Sequence, residues 1–441
     1  NEFFGDGLAE ELINALTRLK GLRVVARTSA FSFKGKDTDI KEIGRRLDVG
    51  NILEGSVRKS GDKLRVTVQL INVEDGYHIW SERFDREMED IFVIQDEISR
   101  SVVEELEMTL ALKPGSTLVK KYTDNLDAYS LYLKGLFNWN LMTPESWALS
   151  RECLEKAAAI DPGFAPAYVG LAVWYQSQAY WGEMTPMEAY ERSMENAVKA
   201  LDIDDEMALV HNILACNYFL YDRDWPESER EFVRSLELDP TSSISRVNYG
   251  LHLILNGRPE DALEQPRIAK RYDPFSVIVN TWSALIMYYA GKVDEAIALL
   301  KETIRMEPSY WQPHYTLAYI YLDQSLLEEA AVEAGKAFDL SGGASAALTI
   351  IASVEFLAGR TADGNKNLRE LLGKSDEKYV PPTFFAWISM ARGDQEEAYR
   401  QIQKAIEMKD SWLNFNRIAP KPIRALNPKI EALLMETGWE R

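Results

Sequence analysis

The sequence is poor in the residues that carry most metal and redox chemistry. Its 441 residues include two cysteines and four histidines. Cys153 and Cys216 stand 63 residues apart and outline no disulfide framework. Metal ligands usually recur at short spacing, whereas these histidines are widely separated. These absences argue against a disulfide-stabilised domain and against a histidine-based metal site.

Positive charge and long apolar runs are also scarce. Acidic residues outnumber basic ones by 69 to 50, which gives a formal net charge of −19. This charge repels phosphate backbones, so we expect no direct nucleic-acid partner. No apolar run approaches the roughly 18 residues of a membrane span, and residues 1–11 lack the pattern of a signal peptide. We therefore expect a soluble segment with no membrane partner, with a cytoplasmic location favoured. A periplasmic location stays an alternative if a membrane anchor precedes residue 1, which is Asn and not Met.

The common catalytic motifs are missing as well. The sequence has no His-Glu-x-x-His, no Cys-x-x-Cys and no Walker-type phosphate-binding loop. Gly5-Asp6-Gly7 could bind an anion at a helix N-terminus, but a capping turn with Asp6 as the N-cap is the simpler interpretation. We predict no catalytic residue, no metal and no cofactor, and hence a protein that is not an enzyme.

What the sequence does contain is an internal repeat. Asp239-Pro240, Asp273-Pro274 and Glu307-Pro308 follow one another at intervals of 34 residues. Each dipeptide ends an apolar-periodic stretch, because an acidic residue followed by Pro stops a helix. Between two stops lie two helical stretches around a turn that contains Gly, such as Asn256-Gly257. The spacing predicts a series of helical hairpins.

Small residues recur at two fixed positions of these hairpins. Aligned by their stops, eight units carry Gly, Ala, Ser or Cys at the eighth and the twentieth position. The eighth position is occupied by Gly135, Ala172, Cys216, Gly250, Ala284, Ala318, Ala352 and Ala386, and the twentieth by Ser150, Ser193, Ser228, Ala262, Ala296, Ala330, Gly364 and Ala398. Two helices can cross closely only where their contact points lack bulk. The pattern predicts that the paired helices cross at these positions.

The period, the stops and the small residues together resemble the tetratricopeptide repeat over roughly residues 125–410. The resemblance implies an all-α right-handed superhelical solenoid, in which the first helix of each hairpin lines a concave groove. The last two units depart from the pattern, because Asp376 and Asp410 stand in place of the final Pro. We expect residues 411–441 to cap the last exposed apolar face.

The N-terminal region has a different periodicity and predicts an α+β domain with a mostly antiparallel sheet. The predicted elements are a helix at Gly7–Leu19, a short strand at Leu22–Arg27, a helix at Ile40–Leu47, strands at Asn51–Lys59, Lys63–Val73 and Tyr77–Asp85, and a long helix at Asp90–Leu112. Its runs Arg23–Ser29, Leu53–Arg58 and His78–Glu82 resemble the TolB amino-terminal-like domain. In bacterial signalling proteins this domain commonly precedes tetratricopeptide repeats, often with an upstream winged-helix or nucleotide cyclase domain.

The resemblance also suggests that the sheet is incomplete. Family members usually have an apolar strand before the segment that matches Phe3–Gly7, and this chain starts after it. We expect either an exposed sheet edge that could pair with a second copy, or a fragment of a longer chain. The predicted organisation is a TolB-like domain at residues 1–112, a linker at residues 113–127, eight hairpins at residues 128–410 and a capping segment at residues 411–441.

The repeat resemblance also predicts which side chains face the groove. None of the forty groove positions carries Lys or Arg. A bound chain-terminal carboxylate needs cations or donors, so we expect a protein or peptide partner with hydrophobic anchors instead. The alternative is pure scaffolding, with the tyrosines packed between neighbouring units. The candidate groove residues are Tyr129, Tyr132, Trp139, Asn140, Gln176, Asn217, Tyr221, Tyr288, Tyr289, Tyr315, Tyr319, Asp323 and Trp387.

A second candidate site is the basic stretch at residues 18–36, which contains no acidic residue. One interpretation is a docking patch for an acidic partner or a nucleotide phosphate. The other is a solvated strand edge protected by charges. The basic side chains are those of Arg18, Lys20, Arg23, Arg27, Lys34 and Lys36.

These observations predict a non-enzymatic protein–protein interaction scaffold in bacterial signalling. The alternative is the regulatory C-terminal part of an adenylate or guanylate cyclase, or of a winged-helix transcription regulator. In that case the output domain lies upstream of residue 1.

Overall fold

The structure of the chain is a computed structural model. It describes residues 2–17, 19, 21–60, 63–87, 90–106, 120–141, 143–181, 184–418 and 428–436. The chain forms two compact units. The first contains Asn1–Trp174, Asn196–Met207 and Arg271–Pro274, and the second contains Tyr175–Glu195, Ala208–Lys270 and Phe275–Arg441. The domain boundaries drawn from the sequence stay a prediction, and residues 113–119 of the proposed linker lie outside the described residues.

The N-terminal region is an α+β layer, as predicted. Its elements are α1 (Glu2–Thr17), α2 (Arg27–Phe31), α3 (Ile40–Leu47), β1 (Asn51–Ser60), β2 (Lys63–Asn72), β3 (His78–Glu87) and α4 (Ile91–Glu105). The sheet is an antiparallel meander in the order β1-β2-β3. Leu64, Val66, Val68 and Leu70 of β2 are buried, because alternate side chains of a strand point to the same face.

The helical repeats follow as the period predicted. Their helices are α5 (Leu126–Asn140), α6 (Pro144–Ile160), α7 (Ala165–Trp181), α8 (Pro186–Ile203), α9 (Ala208–Asn217), α10 (Trp225–Leu238), α11 (Ser243–Leu255), α12 (Pro259–Tyr272), α13 (Val277–Tyr289), α14 (Val293–Met306), α15 (Trp311–Asp323), α16 (Leu327–Leu340), α17 (Ser345–Leu357), α18 (Thr361–Ser375), α19 (Pro382–Arg392) and α20 (Gln395–Glu407). A π-helical turn, Tyr218–Asp222, extends α9. Successive pairs from α5–α6 to α19–α20 form eight hairpins within the described residues. In the second pair Ala179 of α7 packs with Ala189 of α8, and in the fourth the Ser243 hydroxyl of α11 donates to the Ala269 carbonyl of α12.

Two local predictions in the N-terminal region were wrong. Asp6 is not an N-cap, since α1 begins at Glu2 and includes Gly5-Asp6-Gly7. Gly7 instead allows α1 to approach α5 closely, because a Cβ there would lie 2.5 Å from Leu133 Cδ2.

The strand predicted at Leu22–Arg27 is also wrong, because the segment pairs with none of the described strands and Arg27 already begins α2. The Ala26 N–H donates to the Tyr272 carbonyl at 2.8 Å. The Ser29 N–H and hydroxyl both donate to Asp273 Oδ1, at 3.1 and 2.6 Å. All of these residues belong to the first compact unit. The apolar stretch thus finds its backbone partner in a turn that lies far away in the sequence, which no local pattern shows.

The small residues of the repeat lie where the paired helices touch. Ala284, Ala318 and Ala352 have no exposed surface. A Cβ on Gly135 would lie 2.9 Å from Leu154 Cγ of α6, and one on Gly250 would lie 3.3 Å from both the Ala262 carbonyl oxygen and Gln265 Cβ of α12. Contacts this tight leave no room for a larger side chain at these crossings. The prediction from the repeat pattern is confirmed.

Serine fills the same contact points in the early hairpins without leaving a polar group unsatisfied. The Ser150 hydroxyl donates to the Gly135 carbonyl at 2.8 Å, and the Ser228 hydroxyl to the Ala215 carbonyl at 2.9 Å. Both serines are fully buried. Because a buried hydroxyl is costly unless it is hydrogen-bonded, these bonds explain why Ser replaces Ala here.

The described residues beyond α20 include a 3₁₀ helix, Ser411–Ile418, and α21 (Pro428–Glu436). Ile430 and Leu434 of α21 share a buried cluster with Ile402 of α20. Among the helices of the described residues, none combines the length and the apolar character that spanning a membrane requires.

The packing generates a direct test at Ala318. Ala318→Leu adds three carbon atoms at a fully buried crossing. We therefore expect the free energy of unfolding to fall by about 1–3 kcal/mol and the thermal midpoint to fall with it. Ala362→Leu is the matched control, because Ala362 is exposed on α18. Circular dichroism melts measure both variants. An unchanged midpoint for Ala318→Leu would contradict the close crossing of α15.

Candidate partner-binding groove

The groove residues predicted in the first hairpin are partly covered by the N-terminal region. The Tyr129 hydroxyl accepts a hydrogen bond from Gln95 Nε2 of α4 at 2.9 Å, and its ring lies 4.8 Å from that of Phe92. Burial raises the pKa of Tyr129 well above its ordinary value. The Tyr132 ring packs edge-on against Phe164 at 5.2 Å. Tyr129 therefore joins α5 to α4 and is only 2% exposed.

Two further residues of this hairpin lie nearer to solvent. Trp139 is half-buried and stacks on Trp147 with 5.8 Å between ring centroids. Asn140 is exposed at the end of α5, and its side-chain amide donates to the Leu136 carbonyl at 2.9 Å.

In the second and third hairpins the predicted polar residues connect neighbouring first helices. Gln176 Nε2 of α7 donates to Asn217 Oδ1 at 2.7 Å and to the Ile213 carbonyl at 3.2 Å. Asn217 Nδ2 donates to the Ser193 hydroxyl at 3.1 Å. Tyr221 is half-buried, and its ring lies 5.3 Å from that of Tyr190. The amides of Gln176 and Asn217 therefore bond mainly within the fold.

In the later hairpins the structure brings the predicted aromatic residues together. The Tyr288 ring lies 5.3 Å from Tyr289 and 6.0 Å from Tyr319. The Tyr319 ring in turn lies 5.9 Å from Trp387. Trp387 is 1% exposed and Tyr319 4%, while Tyr289 is half-buried. Asp323 is buried at the end of α15 and accepts from Gln324 Nε2 at 3.1 Å.

A part of the chain that the sequence assigned to a capping tail reaches this aromatic cluster. The Trp412 ring stands between Tyr315, at 6.0 Å, and Phe384, at 5.1 Å. Only 5% of Trp412 is exposed. We call Asp410–Asn414 the groove segment. Sequence reasoning missed it, although a Trp in the chain just after the last hairpin was a visible signal.

The two ends of the groove segment are held by polar contacts. Asp410 Oδ2 accepts from the Thr383 N–H of α19 at 3.1 Å, and Asp410 Oδ1 from the Trp412 N–H at 3.1 Å. At the other end, Asn414 Nδ2 donates to the Leu220 carbonyl of the third hairpin at 2.9 Å. Just before the segment, Lys409 Nζ lies 4.1 Å from the Tyr221 ring centroid. The segment therefore contacts first-helix regions of the third, sixth and eighth hairpins.

The basic stretch is paired with acidic side chains of the same compact unit. Lys34 Nζ lies 2.6 Å from Asp6 Oδ1, and Arg27 Nε lies 3.1 Å from Glu10 Oε2. Arg23 lies 3.2 Å from Asp48 and also donates to the Arg271 carbonyl at 2.9 Å.

The other three basic residues of this stretch are Lys36, Arg18 and Lys20. Lys36 is exposed. Arg18 and Lys20 lie outside the described residues. The pairs made by Arg23, Arg27 and Lys34 favour a structural role for this stretch, and the docking patch stays a prediction.

The histidines of the repeats serve packing. His211 Nδ1 lies 2.6 Å from Glu231 Oε2 and His314 Nδ1 2.5 Å from Glu333 Oε2, each within its own hairpin. His252 lies among the rings of Phe219, Trp225, Phe232 and Tyr249, whose centroids are 5.5–5.9 Å away. Burial lowers the pKa of His252 to about 4. In the described part of the chain, His, Cys, Asp and Glu form no group that could hold a metal ion.

Comparison with known families assigns two regions of the chain. Residues 2–101 match the second domain of the HilA/YgeH-like transcriptional regulators. Residues 284–347 match the tetratricopeptide repeat. The repeat prediction is therefore supported. The N-terminal match is to the HilA-like domain, where the sequence had suggested a TolB-like one.

Two curated relatives cover part of the chain. Putative adenylate cyclase 3 of Rhizobium meliloti (strain 1021) is 33% identical over 218 residues, which are 48% of this chain and 36% of the relative. Transcriptional regulator HilA of Salmonella typhimurium is 23% identical over 266 residues, which are 59% of this chain and 46% of the relative. The chain thus spans less than half the length of either relative.

Solved structures with similar folds include yeast Tom70 and YrrB. Tom70 is 19% identical with a TM-score of 0.46, and the match covers 79% of this chain and 77% of Tom70. YrrB, described as a TPR protein with an unusual peptide-binding site, is 18% identical with a TM-score of 0.28. That match covers 45% of this chain and 97% of YrrB.

The buried state of His252 predicts a pH effect on stability. Its folded pKa, about 4, lies below its ordinary value of 6.5. The stability that the neutral His252 contributes is therefore fully present above pH 6.5, and it is lost as the pH falls through 6.5 toward 4. Between pH 7 and pH 5 we expect protonation of His252 to lower the free energy of unfolding of the wild type by about 2 kcal/mol. His252→Gln should not show this loss.

Thermal midpoints at the two pH values measure this difference. His78→Gln is the control, because His78 is exposed, and it should retain the wild-type pH dependence. Equal midpoint shifts in His252→Gln and the wild type would contradict a neutral, buried imidazole.

Proposed function

We propose that this chain is a non-enzymatic interaction scaffold of bacterial signalling, which binds a segment of a protein partner in the groove lined by the first helices of its hairpins. The match of residues 284–347 to the tetratricopeptide repeat supports the class of protein. The single observation that carries the groove proposal is that the groove segment already lies against these helices, with Trp412 between Tyr315 and Phe384.

The chemistry of the groove favours a partner with an aromatic or aliphatic anchor. The side chains around Trp412 are aromatic rings contributed by α15 and α19. Desolvated aromatic pockets supply most of the affinity in typical protein interfaces. The forty groove positions contain no Lys or Arg, so recognition of a chain-terminal carboxylate is disfavoured.

The predicted groove residues divide into two groups by their exposure. Tyr288, Tyr319 and Trp387 are buried and shape the groove. Tyr221 and Tyr289 are half-buried, so their side chains are within reach of a partner. A second copy could also pair with the sheet, where β3 is an edge strand among the described strands and is preceded by Tyr77, which is 76% exposed.

The groove proposal predicts the effect of a double substitution. In Tyr221→Ala with Tyr289→Ala, capture of the native partner should fall by about tenfold or more, because truncated aromatic anchors typically cost over 1–2 kcal/mol. Val332→Ala is the matched control, because Val332 is 56% exposed on the second helix α16. The measurement is quantitative pull-down from extracts of the source cells, with circular dichroism to verify helicity. Undiminished capture by a folded double variant would rule out groove binding.

A second candidate function is the regulatory part of a nucleotide cyclase or of a HilA-like transcription regulator. The match of residues 2–101 to the second domain of HilA/YgeH-like regulators favours it. So does the 33% identity to a putative adenylate cyclase. Sequencing the gene upstream of Asn1 tests this candidate. An open frame that encodes a winged-helix or cyclase domain is expected, and an in-frame stop codon directly upstream would contradict it.

A further inference from the structure

We infer that the groove segment is a built-in competitor whose side chains reveal the partner chemistry that the groove accepts. A matching partner segment carries an acidic residue, a Trp two residues later and a carboxamide side chain two residues after the Trp, as Asp410, Trp412 and Asn414 do. The partner binds by displacing this segment. This inference rests on the proposed groove binding and specifies its ligand and its regulation.

Trp412 is the anchor of the segment. It belongs to the same buried cluster as Tyr315, Tyr319 and Trp387. Its ring meets Phe384 at 62° and Tyr315 at 84°, the edge-on geometry that aromatic pairs prefer. A rigid, desolvated Trp at the centre of a contact is the commonest type of binding hot spot. A partner therefore needs an equivalent ring at this position.

The flanking side chains bond to main-chain groups of the hairpins. Asp410, 1% exposed, accepts from the Thr383 N–H in the first turn of α19. Asn414, 6% exposed, donates to the Leu220 carbonyl. Since these groups belong to the backbone, any segment with a carboxylate and a carboxamide at this spacing can use them. The spacing of the three side chains therefore defines the recognised pattern.

The remaining attachments of the segment are an exposed ion pair and the buried side chain of Leu413, which belongs to a separate hydrophobic cluster. The ion pair of Lys409 with Asp222 spans 3.6 Å, and both side chains are about two-fifths exposed, so it contributes little. Leu413 faces away from the aromatic cluster and packs with Ile402 and Leu434. Because the segment is tethered, its effective concentration is high, and an external segment competes only when it reproduces the anchor. The tether thus lowers the apparent affinity of every partner.

The test uses a fluorescent peptide of residues 408–416 (Met-Lys-Asp-Ser-Trp-Leu-Asn-Phe-Asn) and the full chain. The Trp412→Ala chain lacks the tethered anchor, so its affinity for the peptide should be at least about tenfold higher than that of the wild type. Fluorescence anisotropy measures both affinities. The same peptide with Ala in place of its Trp should not bind. Leu300→Ala is the control for lost packing, because it removes a fully buried side chain from α14. This variant should bind the peptide as the wild type does.

A folded Trp412→Ala chain that binds the peptide no better than the wild type would overturn the inference. If Trp412→Ala loses its helicity, Asn414→Ala replaces it, because this change leaves the aromatic anchor in place and removes the hydrogen bonds to the Leu220 and Ser411 carbonyls. A gain of about threefold is then expected, and no gain overturns the inference. The two proposals fail separately. If partner capture depends on Tyr221 and Tyr289 but the peptide result is negative, only the built-in competitor is wrong.

Discussion

Close approach of the two helices in each hairpin is the constraint on which the rest of the structure depends. At Gly135 even one added carbon would lie within 3 Å of Leu154 on the paired helix, and at Gly250 it would lie 3.3 Å from the Ala262 carbonyl oxygen of the paired helix. At Ala284 and Ala318 a single methyl group fills the contact. Because packing that tight fixes where the helices cross, each hairpin presents its first helix in the same way as its neighbours. The groove is a consequence of this repetition.

Repeated crossing also explains how distant parts of the chain meet inside the second compact unit. Tyr319 of α15 contacts Trp387 of α19, although a whole hairpin separates them in the sequence. The same arrangement lets Trp412 touch Tyr315, and lets Asn414 reach Leu220 of the third hairpin. A five-residue segment can make these contacts only because the first helices turn their aromatic side chains toward it.

The sequence predicts what local physics controls and misses what depends on distant contacts. Pro after an acidic residue ends α10, α12 and α14 where expected, since Pro acts on its own turn of helix. Alternating apolar residues predict the β meander, because the alternation of side chains between the two faces of a strand is also a local property. By contrast, Asp6 and Ala26 were misassigned, because α1 already begins at Glu2 and the Ala26 N–H finds its acceptor in the distant Tyr272 carbonyl. The groove positions followed from the repeat, but the burial of Tyr129 by α4 and of Tyr315 by Trp412 depends on tertiary packing.

The polar contacts of the groove segment explain why an occupied groove is favoured over an empty one. The Thr383 N–H lies in the first turn of α19, where no earlier helical carbonyl can accept it. Asp410 supplies that acceptor, although burial raises the pKa of its carboxyl to about 6. The main-chain donors act in the opposite direction, because hydrogen bonds to the carboxylate favour its charged form and offset part of the cost of burial.

Removing the segment without replacement would leave this donor, the Leu220 carbonyl and several aromatic rings without their present partners. Unmade hydrogen bonds in a desolvated site cost more than made ones contribute. A partner that brings its own carboxylate, ring and carboxamide avoids that loss. Exchange of one such segment for another is therefore favoured over simple release.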